Sequence, residues 1–474
     1  MSTSTPLRAN SLGVVGIAFF VMASAAPIAA FVGAVPVIFA YMGPAVPLVY
    51  LIVGGVVAVF AIGYLKMNQY VTSAGGFVAY IAKGLGPQAA SASSGIVVVT
   101  YVALQVGLWA SFGAFAQQLM TRIGIDAPVW VWVLGTAVAT TALSMRGVDV
   151  NLRALGALIA CELIVVVIFV VSVLISTRNQ DLSLVSFDPA QLVNPGLGVA
   201  TLFVITCFTT FEATTVYSEE ARNPRRTIPI ALYIVIAFIA VFFAVGTWAV
   251  SYAVGPDRIQ EISLANVTTV IFDVANQAAG PWLAITMEIL VVTSFIAMII
   301  GIQNMFARYC FSLGRAGVLP RSLARVSSTT RSPAFAALAN AIVVTVVVLP
   351  LLWAGLDPIL DIYSWFMALA TIGWTTMLLI ASIAIVAFFL VRKGESGLIS
   401  TRIAPIVSVI AAGAIVVLGI SNYGVLSGGG AVAAWLLLLL PLGFAAGWMR
   451  ARARRGLIDF DVKFTESQMA ELKG

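Results

Sequence analysis

Between Leu163 and Ile175 the chain reads LIVVVIFVVSVLI, with no charge and no alternation of apolar and polar residues. Comparable apolar windows of about 20 residues, the length of α-helix that crosses a bilayer, recur from one end of the sequence to the other. A membrane β-barrel would show period-two alternation instead. Only 9% of the 474 residues are charged and 61% are hydrophobic, against about 25% charged in a soluble domain. The chain therefore reads as an all-α polytopic membrane protein.

Twelve transmembrane helices are expected, at 12–42, 45–68, 92–120, 128–145, 152–176, 197–221, 228–253, 282–307, 334–355, 361–391, 403–423 and 431–450; they are numbered here as spans 1 to 12. Two amphiphilic stretches, 73–85 and 262–278, are too short or too polar to cross and read as surface or re-entrant helices. Orientation follows from the basic residues, which favour cytoplasmic loops. With the N-terminus inside, only Arg122, Arg178 and Arg258 of the 25 Lys and Arg residues fall on the outer side. Both termini, 1–11 and 451–474, are then cytoplasmic, and the cytoplasmic (plasma) membrane is the expected location. The formal charge of +6 is explained by topology, so no nucleic-acid partner is called for. The lipid bilayer is the obligatory partner, and nothing in the sequence fixes an oligomeric state.

Two spans are interrupted. Span 1 contains ASAAP (Ala23–Pro27) at its middle, where Pro27 removes an amide donor and crowds the preceding turn. Span 6 contains CFTTFEATT (Cys207–Thr215), whose threonines compete for backbone groups and disfavour helix. Unwound backbone at membrane depth survives only where protein buries it or a watery cavity receives it. Interrupted helices at corresponding places in two halves point to the central site of a transporter. Spans 1 and 6 lie five apart and run in opposite directions, which implies an inverted repeat of spans 1–5 (12–176) against spans 6–10 (197–391), with spans 11 and 12 (403–450) added. A plain proline kink in span 1 is the simpler alternative.

Three ordered segments carry a family resemblance: TSAGGFVAYIAKGLG (Thr72–Gly86), SEEARNPRRTIPIA (Ser218–Ala231) and RYCFSLGRAGVLP (Arg308–Pro320). The chain resembles the amino acid–polyamine–organocation permease superfamily over nearly its whole length. The resemblance implies a five-plus-five, LeuT-like core with discontinuous helices 1 and 6, and alternating-access transport of a small nitrogenous solute. Many relatives carry glycine–X–glycine at the break of span 1; Ser24 and Ala26 stand at the matching positions. The amides of Ser24, Ala25 and Ala26 are nevertheless expected to face an anionic group.

Acids within the membrane are functional hypotheses by default. Glu162 lies about 13 Å along its helix from Arg153 at 1.5 Å per residue. In many proton-coupled relatives a lysine stands at the corresponding place after the RG loop, so Glu162 is assigned to proton coupling, with Ser294 of span 8 as its expected partner. A carboxyl there gains a proton or draws a cation; its plainer reading is a glutamate bonded to a neighbouring helix. Glu212 is read as a cap on amides freed by the span 6 break, or as a direct proton or substrate contact. Glu288, near the outer end of span 8, is within reach of water, and Glu219 and Glu220 are expected to pair with Arg222, Arg225 and Arg226. Substrate contacts are expected from Ala23, Ser24, Ala25, Ala26, Tyr101, Gln105, Phe208, Thr209 and Thr210, and an outer gate from Trp365.

The implied function is secondary active uptake of an amino acid or related amine, driven by a proton gradient with sodium left open as the coupling ion. The alternatives are an amino acid or amine exchanger and a polyamine or monoamine permease. No nucleotide-binding motif occurs, and no cofactor or metal is expected. Histidine is absent, and Cys161, Cys207 and Cys310 show no paired spacing, which leaves little chemistry for an enzyme. A sensor lacks a signalling extension in the 451–474 tail, and no ring-forming filter segment suggests a channel.

Overall fold

A computed structural model describes residues 12–460 except 72–74, 146–147, 328–329, 331, 393–396, 430 and 455. The segments 1–11 and 461–474 lie outside the described residues. The described residues are predominantly helical, and among them ten helices are long and apolar enough to cross a membrane. The expectation of twelve is not reached by that measure. Span 4, Val129–Met145, and the helical part of span 6, Leu197–Cys207, are apolar but short. Span 6 falls short because its threonine-rich stretch does not hold an α-helix.

Span 1 is divided into Val14–Ala25, Pro27–Gly33 and Val35–Met42, and a single 3-10 turn at Gly43–Ala45 joins it to span 2, Val46–Asn68. The remaining long helices are Pro87–Arg122, Val148–Ser176, Pro224–Val254, Pro281–Arg315, Ala334–Trp353, Ser364–Val391, Ala404–Ser421 and Leu439–Ala453. The first amphiphilic stretch forms one helix, Gly76–Leu85. The second is two helices, Ile259–Ala265 and Val270–Ala279, rather than one. Asn266 ends the first of these and turns the chain into the second.

One continuous cluster of buried apolar side chains runs through spans 1, 2, 3, 6, 7, 8 and 10. The outward faces of spans 4, 5, 9 and 11 expose Val138, Ile164, Val346 and Ile410, as a lipid-facing surface requires. Small residues let some helices meet at the backbone, the common device where lipid supplies no hydrophobic drive. A Cβ on Gly95 of span 3 would lie 1.8 Å from the Gly443 carbonyl oxygen of span 12, so span 12 is fastened against span 3.

Candidate functional site

At the break of span 1, Ala26 adopts a left-handed conformation, φ 43° and ψ 69°, which costs an L-residue about 1–2 kcal/mol. Pro27 then opens the next helix, where its missing N–H is no loss. The following amides are among those a helix start leaves without intrahelical partners. Side chains from two other spans take them: the Ile28 amide donates to Glu162 Oε2 at 3.2 Å and the Ala29 amide donates to Ser294 Oγ at 3.4 Å. Ser294 also lies against the Glu162 carboxyl. Spans 5 and 8 thus meet on the hinge of span 1, and the expected pair is brought together there. Glu162 is 0% exposed, and its Oε1 has no hydrogen-bond partner among the described residues.

The expected donors at this break shift by one turn. Ser24 and Ala25 belong to the last turn of Val14–Ala25, and the Ala26 amide donates to the Ala23 carbonyl at 3.1 Å. Ser24 Oγ turns back to donate to the Phe20 carbonyl at 2.9 Å. Its side chain occupies the space left by Gly301 of span 8, where a Cβ would stand 2.1 Å from Ser24 Oγ. Ser24 of span 1 is therefore accommodated by a glycine in span 8. Ala23 is fully buried.

The break of span 6 is longer. Helix ends at Cys207, turns follow through Glu212, and Ala213–Val216 makes one short helix before further turns. Thr209, Thr214 and Thr215 donate to the carbonyls of Thr206, Phe211 and Glu212 at 2.8, 2.9 and 2.9 Å. Thr210 Oγ1 is buried without a partner among the described residues. Phe208 is buried and approaches span 2 at Gly54.

Among the described residues, the side-chain partners of Glu212 are tyrosine hydroxyls and not freed amides. Its Oε1 accepts the Tyr101 hydroxyl of span 3, and the Tyr309 hydroxyl of span 8, which accepts the Phe77 amide at 3.2 Å, lies beside the same carboxyl. Glu212 Oε2 is without a partner among the described residues. The Tyr101 ring packs on Phe306 and Tyr309, centroids 5.6 and 5.5 Å apart. Gln105, one turn further on, exchanges hydrogen bonds with Asn340 of span 9 at 3.2 and 2.6 Å and also donates to the Tyr101 carbonyl. It joins helices. Trp365 lies buried in the first turn of Ser364–Val391.

The two acids after span 6 reach cations that spacing along the chain does not suggest. Glu219 pairs with Arg315 at 2.6 Å, and Glu220 is held in a two-pronged pair by Arg308 at 2.7 and 3.0 Å, both side chains no more than 2% exposed. The motif after span 6 thus grips the motif after span 8, because the fold stacks the ends of those two spans. Phe20, Tyr217 and the Arg308 guanidinium form a three-layer stack, with steps of 5.2 and 4.7 Å. Backbone bonds Leu12 N–H to Glu220 O and Arg222 N–H to Leu12 O, at 3.1 and 2.8 Å, fasten span 1 beside it. Glu288 pairs with Arg122 at 2.6 Å. Tyr309 and Arg308 escaped the reading from sequence as site residues, although both lie in the segment that carries the family resemblance; Asn340, Ile28 and Ala29 give no signal that sequence alone can expose.

Apolar helices interrupted in the bundle interior, with a buried acid against each interruption, define a polytopic membrane protein of the discontinuous-helix transporter architecture. A Na+-coupled sialic acid symporter, solved in a substrate-bound outward-open state, shares the fold: the TM-score is 0.53 at 12% identity, covering 88% of this chain and 91% of that one. The amino acid permease family model matches residues 12–445. The chain belongs to the amino acid permease family, a family of membrane transport proteins and not of enzymes, and is a multi-pass membrane protein. An L-asparagine permease of Salmonella typhimurium is 26% identical over 310 residues, which span 60% of this chain and 58% of that relative.

Proposed function

We propose that this protein is a secondary active transporter that takes up an amino acid or related amine by alternating access, driven by protons. Its working topology is twelve spans, with spans 4 and 6 completing the ten long helices. Spans 1–5 and 6–10 form an inverted-repeat pair, and both termini face the cytoplasm at the plasma membrane. The observation that carries this reading is the bonding of Glu162 and Ser294 to the first amides after the span 1 break. A carboxyl that gains or loses a proton there changes its hold on Ile28, and so biases a hinge stationed on the solute's path. Glu212, bound to spans 3 and 8 through Tyr101 and Tyr309, is the second proton-linked group. Ala23–Ala26, Tyr101, Phe208, Thr209 and Thr210 line the region between the two breaks, and Trp365 closes it from outside. The family and the asparagine permease both support a nitrogenous solute.

The deciding measurement is solute accumulation in proteoliposomes under an imposed pH gradient. Glu162→Gln is expected to abolish pH-driven accumulation while leaving solute binding partly intact. Undiminished proton-driven uptake by that variant would remove Glu162 from coupling. Exchange that persists without any pH gradient would favour the antiport mechanism instead.

A further inference from the structure

The first of the three family segments, Thr72–Gly86, ends in a short helix whose start lies against a partner of Glu212. Phe77 stands in the first turn of Gly76–Leu85, where amides lack intrahelical partners, and its N–H donates to the Tyr309 hydroxyl at 3.2 Å. That hydroxyl is in turn hydrogen-bonded to the Glu212 carboxyl. Its oxygen already accepts from Phe77 and a carboxylate only accepts, so the Tyr309 proton is the one that Glu212 receives. Glycine makes the approach possible: Gly76 has φ +47°, and a Cβ there would stand 2.2 Å from the Tyr309 hydroxyl oxygen. At the other end of the helix, a Cβ on Gly84 would stand 2.1 Å from the Ala384 carbonyl oxygen of span 10. The helix is seated on the span 10 backbone at its end and bonded to the Tyr309 hydroxyl at its start.

The same first turn carries a plug. The Phe77 ring packs on Phe60, Tyr64 and Trp374, with centroids 6.1, 5.4 and 6.2 Å away. Phe60 and Trp374 in turn pack on Phe211 of the span 6 break, both at 5.6 Å. All five side chains are buried. Spans 2, 6 and 10 therefore meet around one ring borne by the short helix, and Phe211 is covered there for as long as that helix start stays in place.

The hold on that start depends on the charge of Glu212. With the carboxyl ionised, the Phe77 N–H, the Tyr309 O–H and the carboxylate form a line that ends on a negative charge. Such bonds are roughly twice as strong as neutral ones and reinforce one another along a chain. A proton on Glu212 leaves only neutral bonds. The titratable groups that face Glu212 are Tyr101, Tyr309 and Tyr64, from spans 3, 8 and 2. Tyrosines titrate near pH 10 and keep their protons at neutral and acidic pH. Arg308, next to Tyr309 in span 8, is paired with Glu220.

We propose that Tyr309 is a positioning residue that carries the charge of Glu212 to the Gly76–Leu85 helix: ionised Glu212 fastens the Phe77 plug, and a proton on Glu212 loosens it. This rests on the transport reading above and adds one step to it, in which proton loading frees one side of the span 6 break.

The test needs no solute. Hydrogen–deuterium exchange of the peptide containing Phe77 is followed by mass spectrometry in the purified full-length protein from about pH 8 down to about pH 4. Each rate is divided by that of an unstructured peptide at the same pH. Protection is expected to fall about threefold to tenfold on acidification, the difference between a charge-assisted and a neutral hydrogen bond. Glu212→Gln, uncharged at every pH, is expected to show the low protection throughout. Tyr309→Phe keeps the ring, removes the hydroxyl, and is expected to lose both the protection and its pH response. Tyr101→Phe removes the other hydroxyl on Glu212 and is expected to keep the response with its midpoint displaced. A pH response that survives in Tyr309→Phe or Glu212→Gln, or that the unaltered protein lacks, would overturn the proposal. Uptake in proteoliposomes separates the two levels. Proton-driven uptake without an exchange response would overturn the plug alone, whereas the expected response without proton-driven uptake of any amino acid or amine would overturn the transport reading and the plug's place in it.

Discussion

The two helix breaks are built on opposite plans. In span 1 the break is one residue wide: Ala26 takes a left-handed turn between two helices, and the donors it releases are satisfied by Glu162 and Ser294 from other spans. In span 6 it extends from Phe208 to Glu212, and much of its bonding is local, threonine hydroxyls folding back on carbonyls three residues earlier. A break that bonds to itself stays unwound whatever its neighbours do. A break held by side chains from outside answers to the state of those side chains. On the transport reading proposed above, span 1 is the part on which a bound proton or cation would act, and span 6 is the standing notch beside it.

That contrast can be broken by substitution. The largest effect is expected beyond the breaks, where the end of span 6 is tied to the span 8 helix by a buried ion pair. Arg308→Ala removes the two-pronged partner of Glu220, a side chain 2% exposed, and is expected to cost about 3–5 kcal/mol in a reversible unfolding titration in micelles. Joint replacement of both residues by apolar ones should recover most of that loss; no recovery would mean that the pair does more than neutralise itself.

Next in size, Gly301→Ala drives a methyl into Ser24, whose Cβ and Cα would lie 3.1 and 3.2 Å from it. A loss of about 1–3 kcal/mol is expected, with Ser24→Gly in the same chain restoring stability. Additive losses in that double variant would show that the two positions do not share one contact.

The smallest effects contrast the breaks directly. Ala26→Gly removes the left-handed penalty and is expected to stabilise the protein by about 0.5–1 kcal/mol or less. Thr214→Val deletes one self-bonded hydroxyl and should destabilise by about 1 kcal/mol. Equal signs for the two substitutions would contradict the opposite plans.

The sequence alone located every long apolar helix, although Pro281–Arg315 runs eight residues past the expected end at 307 and span 12 is split before Leu439–Ala453, and it located both breaks, because proline and clustered threonine act on the backbone locally. It paired Glu162 with Ser294 through a resemblance, and the fold brought that pair together. Spacing along the chain suggested Arg222, Arg225 and Arg226 as partners of Glu219 and Glu220; it gave no hint of Arg315 and Arg308, which the stacked ends of spans 6 and 8 supply. Gln105 was expected to meet solute, and only the structure shows Asn340 of span 9 against it.

Hydropathy and helix-breaking residues are properties of single stretches, so the sequence determined that this chain is a bundle of membrane helices, two of them interrupted. Which donors at those interruptions remain free is a property of approach between distant segments. Only the packed structure could decide that the amides after Ala26 are already held by Glu162 and Ser294, because a hydrogen bond is made over about 3 Å by residues far apart in the chain.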